Sequence, residues 1–212
     1  MHRPWAVPSN NMEKVIINIG RQFGSGGKSV ARVLGEKLGI PVYDDELITK
    51  AAEESGFSPE IFLNRDEKKR MLNIGNIFGS NRYGNYSDGL NDSEVFRIQS
   101  EVIRKIALEG SAIFVGRASD YVLRDMECLD VFITAPLDVR IARLSEKRGI
   151  TVEQAEILVK KMDKERENYY NFYTFGRWGV AGTYDLCLDA SLLGVEQAAE
   201  LIIEFGKKSK LI

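Results

Sequence analysis

Histidine is almost missing from this sequence: among 212 residues only His2 is one, and it lies in an irregular leader. Serine-histidine hydrolysis, general-base chemistry at an internal imidazole and a His-built zinc site therefore have no residue to carry them. Cysteine is nearly as scarce. Cys128 and Cys187 stand far apart in apolar stretches, which predicts two buried thiols in a reducing compartment and excludes a disulfide framework. No run approaches the roughly 20 apolar residues of a membrane span, and the leader lacks the apolar stretch of a secretory signal. A soluble, cytoplasmic protein with no membrane partner is expected. Nor does one sign of charge dominate. Lysine plus arginine number 29 against 31 aspartate plus glutamate, a net charge of −2, so no global field gathers nucleic acid, and any attraction for phosphate must be local.

What is present is an alternation of short β-branched runs with helical patterns. Residues 1–12 form a leader without periodicity, containing Pro4 and Pro8, and Met12 is a candidate natural start. Residues 13–212 have the length of one large domain. Lys14 to Gly20 reads as a strand buried on both faces, because Val15, Ile16, Ile17 and Ile19 follow one another closely. A glycine-rich turn comes next, then a helix from Lys28 to Leu38 that Gly39 and Pro41 end. Further strands are expected at Ile40–Tyr43, Ala112–Val115, Leu129–Thr134 and Tyr184–Leu188. Helices are expected at Asp45–Ser55, Pro59–Arg70, Ser93–Glu109, from Pro136, at Thr151 to about Tyr170, and at Gly194–Phe205. Five strands separated by helices predict an α/β fold with a mostly parallel sheet. The glycine- and asparagine-rich stretch 73–91 offers little apolar surface against its ordering entropy, and reads as a mobile loop or a plain surface connection.

The segment between the first strand and its helix, Gly20-Arg21-Gln22-Phe23-Gly24-Ser25-Gly26-Gly27-Lys28-Ser29, ends in Gly-Lys-Ser as a Walker A loop does, with Gln22 where the strict pattern has glycine. Gly24, Ser25, Gly26 and Gly27 let backbone N–H groups turn toward phosphate oxygens at a helix N-terminus. Lys28 is placed for the β- and γ-phosphates of ATP, and Ser29 for a hydroxyl ligand to Mg²⁺. The strand before and helix after make this a nucleotide-phosphate site rather than a structural turn.

Other residues fall where such a fold gathers ligands. Asp44 and Asp45 end the second strand, where open α/β sheets form their crevice. Asp45 is the candidate for Mg²⁺-bound water or an acceptor hydroxyl, with helix capping the alternative for the pair. Arg140, Arg143 and Lys147 share one helix face, either a phosphate-binding stripe or a solvated one. Asp163, Arg166 and Tyr170 recur at helical spacing and can point into one space; the first two also have the spacing of an ordinary ion pair. Tyr169, Tyr170, Phe172, Tyr173, Phe175 and Trp178 cluster beside them, as packing or as a surface for a base.

Taken together, GRQFGSGGKS, IPVYDDELI, FVGRASDYVL, KKMDKERENYY and YDLCLDAS resemble, in order, the cytidylate-kinase-like family of P-loop nucleoside monophosphate kinases, over Val15 to Lys207. The resemblance implies a P-loop NTPase-type three-layer sandwich with a five-stranded parallel sheet of order 2-3-1-4-5. It also implies an acceptor-binding insertion at about 45–92, containing the loop 73–91, and a lid at about 140–180. It implies ATP and Mg²⁺ as cofactors and transfer of the γ-phosphoryl group to a small nucleotide, with CMP foremost and dCMP or UMP beside it. Arg117 matches an arginine on the acceptor phosphate, a task that suits the guanidinium fork. Arg140 and Arg143 match arginines at the start of the lid, and Asp163 with Arg166 matches a pair that reads the pyrimidine and clamps the phosphate. With Lys28, the first three form the expected catalytic set; Asp45, Arg117, Asp163, Arg166 and Tyr170 form the acceptor side. Ala118 and Val115 stand where the family carries aspartates. That leaves two other readings open: a P-loop kinase for another small hydroxyl or coenzyme-precursor acceptor, and a nucleotide sensor without catalysis. Oligomeric state is not legible.

Overall fold

A computed structural model describes residues 14–54 and 89–212. The leader, the expected helix Pro59–Arg70 and the stretch 73–88 lie outside these residues. Ile16–Arg21 forms β1, followed by α1 (Gly27–Leu38), β2 (Val42–Tyr43), α2 (Asp45–Glu54) and α3 (Gly89–Glu109). Then come β3 (Ala112–Val115), α4 (Ser119–Val122), β4 (Leu129–Thr134), α5 (Leu137–Arg148) and α6 (Val152–Thr174). A 3₁₀ turn (Ala181–Thr183), β5 (Leu186–Asp189), α7 (Ala190–Leu193) and α8 (Val195–Ser209) complete the chain. Residues 89–91, expected as part of the loop, already belong to α3.

The five strands form one sheet in the order β2-β3-β1-β4-β5, parallel at every pairing. Parallel strands need covering on both faces, and the two cores supply it. On one face Ile17, Ile19, Val115, Val131 and Ile133 pack against Val30, Val33 and Leu34 of α1 and Ala198, Ala199 and Ile202 of α8. On the other, Ile16, Phe114 and Ala112 pack against Ile48 of α2 and Val95, Ile98 and Ile103 of α3. The result is three layers, with β1 in the centre and its C-terminal end pointing at the glycine loop.

A third cluster joins α5 to α6 through Ile141, Leu144, Ala155, Leu158 and Val159, and Phe23 of the loop packs against it. Thr151 starts α6 with a reciprocal cap: its hydroxyl accepts from the Gln154 N–H, and the Gln154 side chain accepts from the Thr151 N–H. The cysteine expectation needs correction. Cys128 is buried, but Cys187 is exposed, because it sits on β5 at the sheet edge, where the period-2 alternation turns it outward.

Phe114 is among the largest fully buried side chains and lies in the middle of the α2–α3 face. Phe114→Ala is expected to cost about 3–5 kcal/mol, measured as a lowered denaturation midpoint in urea with an unchanged slope.

Candidate active site

The loop after β1 is built from tight turns and close contacts. Gly24 and Gly26 have φ of 80° and 93°, a left-handed conformation that favours glycine. Space is tight there as well: a Cβ on Gly24 would come 3.2 Å from the Arg140 carbonyl, and one on Gly26 would come 3.1 Å from the movable end of Arg143, Nη1. Ser25 is buried, and its hydroxyl donates to the Gln22 carbonyl at 2.9 Å, so it braces the turn from within. Gln22 has work of its own. Its side-chain oxygen accepts from the Thr134 hydroxyl at 2.6 Å and the Ala135 N–H at 3.3 Å, tying the loop to the end of β4.

Lys28 and Ser29 open α1. Lys28 remains 70% exposed and reaches Asp44 Oδ2 at 2.6 Å. The other oxygen of Asp44 accepts from the Glu46 and Leu47 N–H groups, capping α2. Burial alone raises the Asp44 carboxyl, but the Lys28 ammonium and these two N–H groups outweigh it and hold the group below its ordinary value. The set of a Ser29 hydroxyl and a carboxylate already bonded to the neighbouring Lys28 consists of hard oxygen donors, which fits Mg²⁺.

Asp45 faces a different partner, forming an ion pair with Arg117. The turn that presents Arg117 is unusual. Gly116, Arg117 and Ala118 have consecutive positive φ values of 80°, 59° and 52°, a conformation that costs a non-glycine residue about 1–2 kcal/mol. Such strain is found where a side chain must be delivered to one place. The Arg117 guanidinium lies over the Tyr169 ring, 5.3 Å from its centroid. Tyr169 in turn belongs to an aromatic group with Phe96 and Tyr173, the last two stacked at 4.1 Å.

Arg140 is only 7% exposed, and its donors go to protein: Ala135 O at 2.9 Å, Phe23 O at 3.2 Å and Asp163 Oδ2 at 2.5 Å. Asp163 Oδ1 accepts from the Phe23 N–H at 2.7 Å. Arg143 donates to the Gly24 carbonyl at 2.9 Å. Arg166 lies over Phe23, 5.2 Å from the ring centroid, and donates to the Arg21 carbonyl at 3.1 Å. Tyr170 is buried with its hydroxyl donating to Asp120 at 2.6 Å. Burial and the Asp120 carboxylate push that phenol far above its ordinary value.

The expected residues thus divide into two groups. Gly24 to Ser29, Arg140, Arg143 and Asp163 surround the loop, whereas Asp45, Arg117 and Tyr169 form a second centre toward α3. Arg166 adjoins both through Phe23 and Arg21. Tyr170 does not join them; its neighbour Tyr169 is the ring at Arg117. Lys147 is exposed in the last turn of α5. Along the sequence Arg21 and Phe23 carry no expected role, Gln22 only stands in for a glycine, and Tyr169 is one aromatic of a cluster read as packing or as a surface for a base. The signal available was the presence of three large side chains in a loop otherwise made of small residues, each of which turns out to hold a neighbouring element.

Comparison with known proteins accords with this arrangement. The model of the cytidylate kinase-like family matches residues 16–192. The chain belongs to that family. It is a P-loop phosphotransferase of the nucleoside monophosphate kinase class, with ATP and Mg²⁺ as cofactors. It is 31% identical over 192 residues to a cytidylate kinase of Methanopyrus kandleri, covering 84% of this chain and 85% of that protein. It is 25% identical to a cytidylate kinase of Pyrococcus horikoshii, covering 84% and 81%. Among solved structures, an uncharacterized protein from Eubacterium ventriosum matches with a TM-score of 0.69 at 30% identity, covering 91% of this chain and 98% of that one. A shikimate kinase from Acinetobacter baumannii shares the fold with a TM-score of 0.52 at 16% identity, covering 95% and 97%.

Asp163→Ala is expected to leave Arg140 as an unpaired buried charge, costing about 3–5 kcal/mol, read as a fall in thermal and urea midpoints. Lys28→Met is expected to raise the Asp44 carboxyl pKa, measured by carbon NMR titration. In the wild type this depressed carboxyl adds stability above its unfolded value of about 3.9. That contribution is lost as the pH falls through the lower folded value; in the variant it is smaller.

Proposed function

We propose that this protein transfers the γ-phosphoryl group of ATP to cytidine monophosphate, or to the closely similar dCMP or UMP, giving the diphosphate and ADP. The observation that carries the reading is the separation of two cationic centres, Lys28 with Arg143 at the glycine loop and Arg117 beside an aromatic wall, joined by α6. A kinase needs one place for donor phosphates and another for the acceptor phosphate, with the reacting groups between them. The cytidylate kinases among the relatives support the pyrimidine.

In this reading Lys28 leaves Asp44 and binds the donor phosphates, and the N–H groups of Gly24 to Lys28 surround their oxygens. Arg143 lies against the loop, where it neutralises charge on the moving phosphoryl. Arg140 and Asp163 act one step back, fixing the Phe23 N–H and C=O. Ser29 and Asp44 would hold Mg²⁺, which supplies charge neutralisation to the phosphates; Asp44 takes this place in preference to Asp45, which is engaged by Arg117. Arg117 and Arg166 bind the acceptor phosphate, and the Tyr169 ring with its aromatic neighbours lies where the base would rest. No strong general base is required, because the transition state is loose and its charge lies on oxygens.

The test is ADP formation by the purified protein with ATP, Mg²⁺ and each nucleoside monophosphate in turn. CMP is expected to give the highest kcat/KM, Lys28→Ala to abolish turnover, and Arg117→Ala to lower kcat/KM for CMP by about 10²-fold or more while the KM for ATP changes little. ADP release that no monophosphate raises above the acceptor-free rate would remove the assignment.

A further inference from the structure

Three guanidinium groups meet where β1, the turn after β3 and α6 come together, and their charge is not balanced. Arg21 closes β1. A Cβ on Gly116 would fall on the Arg21 guanidinium, so this group lies against the peptide that leads into Arg117. A Cβ on Gly27 would come 2.7 Å from Arg21 Cβ, so the stem is fixed between the phosphate loop and the β3 turn. Arg166 reaches the same place from α6, donating to the Arg21 carbonyl at 3.1 Å.

The carboxylates nearby are largely committed. Asp44 holds Lys28, Asp163 holds Arg140, and Asp45 holds Arg117. Among the described residues the Arg21 guanidinium has neither an ion pair nor a hydrogen bond, although it carries five donors. Of the three guanidinium groups only Arg117 has an ion pair among the described residues, with Asp45; Arg21 feels Asp44, and Arg166 feels Asp163 and Glu165, without pairing with them, so the cluster keeps a surplus of positive charge. Burial first, then Arg166 and Arg117, push the Arg21 group down to about 9, with Asp44 offsetting a part. Burial also lowers Arg166, where the attraction of Asp163 is opposed by Arg117. A guanidinium stays protonated in proteins, so this repulsion is an electrostatic cost to the folded chain that an anion among the three would relieve.

We propose that Arg21, Arg117 and Arg166 form one site for a phosphomonoester dianion, and that Arg21 sets its specificity for a twice-charged group over a carboxylate. The inference rests on the reading of the Arg117 centre as the acceptor end and adds the charge state of the acceptor and a third arginine. A carboxylate brings one negative charge and two oxygens, enough for one fork; a phosphomonoester brings two charges and three oxygens, enough for the surplus here. Arg21 is also the residue that touches both ends of the site, through Gly27 on the loop side and Gly116 on the acceptor side.

The test uses thermal unfolding and calorimetric titration with inorganic phosphate and, separately, acetate, in a Lys28→Ala background so that the glycine loop does not supply the response. The parent is expected to gain stability with phosphate and far less with acetate. Arg21→Met is expected to melt higher than its parent without phosphate, because a repelling charge is gone, and to bind phosphate about 10- to 100-fold more weakly. Lower melting with an undiminished phosphate response would make Arg21 a packing residue and overturn the proposal, as would a parent that ignores phosphate. If the methionine variant does not fold, Arg21→Lys, which keeps the charge and loses the fork, is expected to bind phosphate with intermediate affinity; affinity equal to the parent's overturns the role given to the guanidinium. CMP turnover plays no part in this readout. A chain that binds phosphate through Arg21 without turning over CMP removes the substrate assignment alone. In the otherwise native chain, an Arg21→Met variant with an unchanged KM for CMP removes this inference alone.

Discussion

A buried guanidinium and a carboxylate hold the Phe23 backbone on both sides of its Cα, and the geometry of the site depends on that grip. Arg140 donates to the Phe23 carbonyl while Asp163 accepts from its N–H, and the two side chains bond each other. A glycine-rich loop has many conformations available, and burial of one aromatic residue would not select among them. Two directional bonds to the backbone on either side of one Cα do. Because Arg140 stands on α5 and Asp163 on α6, the same contacts fix the helix pair to the loop and so carry Arg166, Tyr169 and Arg143 to their places. In a low-dielectric setting such a pair contributes specificity of geometry more surely than net stability.

The cations assigned to phosphates under the proposed function are held by carboxylates in this structure. Lys28 rests on Asp44 and Arg117 on Asp45, two adjacent residues at the end of β2. Each pairing holds a flexible cation in place, and at the largely exposed Lys28 it is weak. The turn from Gly116 to Ala118 directs Arg117 toward Asp45 of α2 and Tyr169 of α6 at a local backbone cost.

The strand order and the three layers followed only from the family resemblance, whereas the strands, the parallel sheet and the glycine loop were legible because they rest on short-range signals, namely β-branched runs, glycine spacing and helical periodicity. Strands β3 and β4 fell within their expected bounds for that reason. The candidate site was legible as a list of residues more than as an arrangement. Asp163 reads along the sequence as half of a pair with Arg166, three residues away, yet it bonds Arg140, twenty-three residues distant, because α5 packs on α6. Tyr169 and Tyr170 are adjacent and chemically alike; only the rotation of α6 about its axis decides that the first meets Arg117 and the second Asp120. Gln22 looked like a defect in a glycine pattern, whereas its side chain fastens the loop to β4. Cys187 read as buried because its neighbours are apolar, but an edge strand has a face that no helix covers.

The central claim is that one chain holds a donor-phosphate centre and an acceptor-phosphate centre close enough to be bridged by one molecule. The most direct measurement is a calorimetric titration with adenosine and cytidine joined 5′ to 5′ through five phosphates, followed by competition against ATP and CMP separately. The account predicts one molecule bound per chain, displaced by either nucleotide and binding more tightly than both. Binding of two molecules per chain, or displacement by ATP while CMP has no effect, would contradict it.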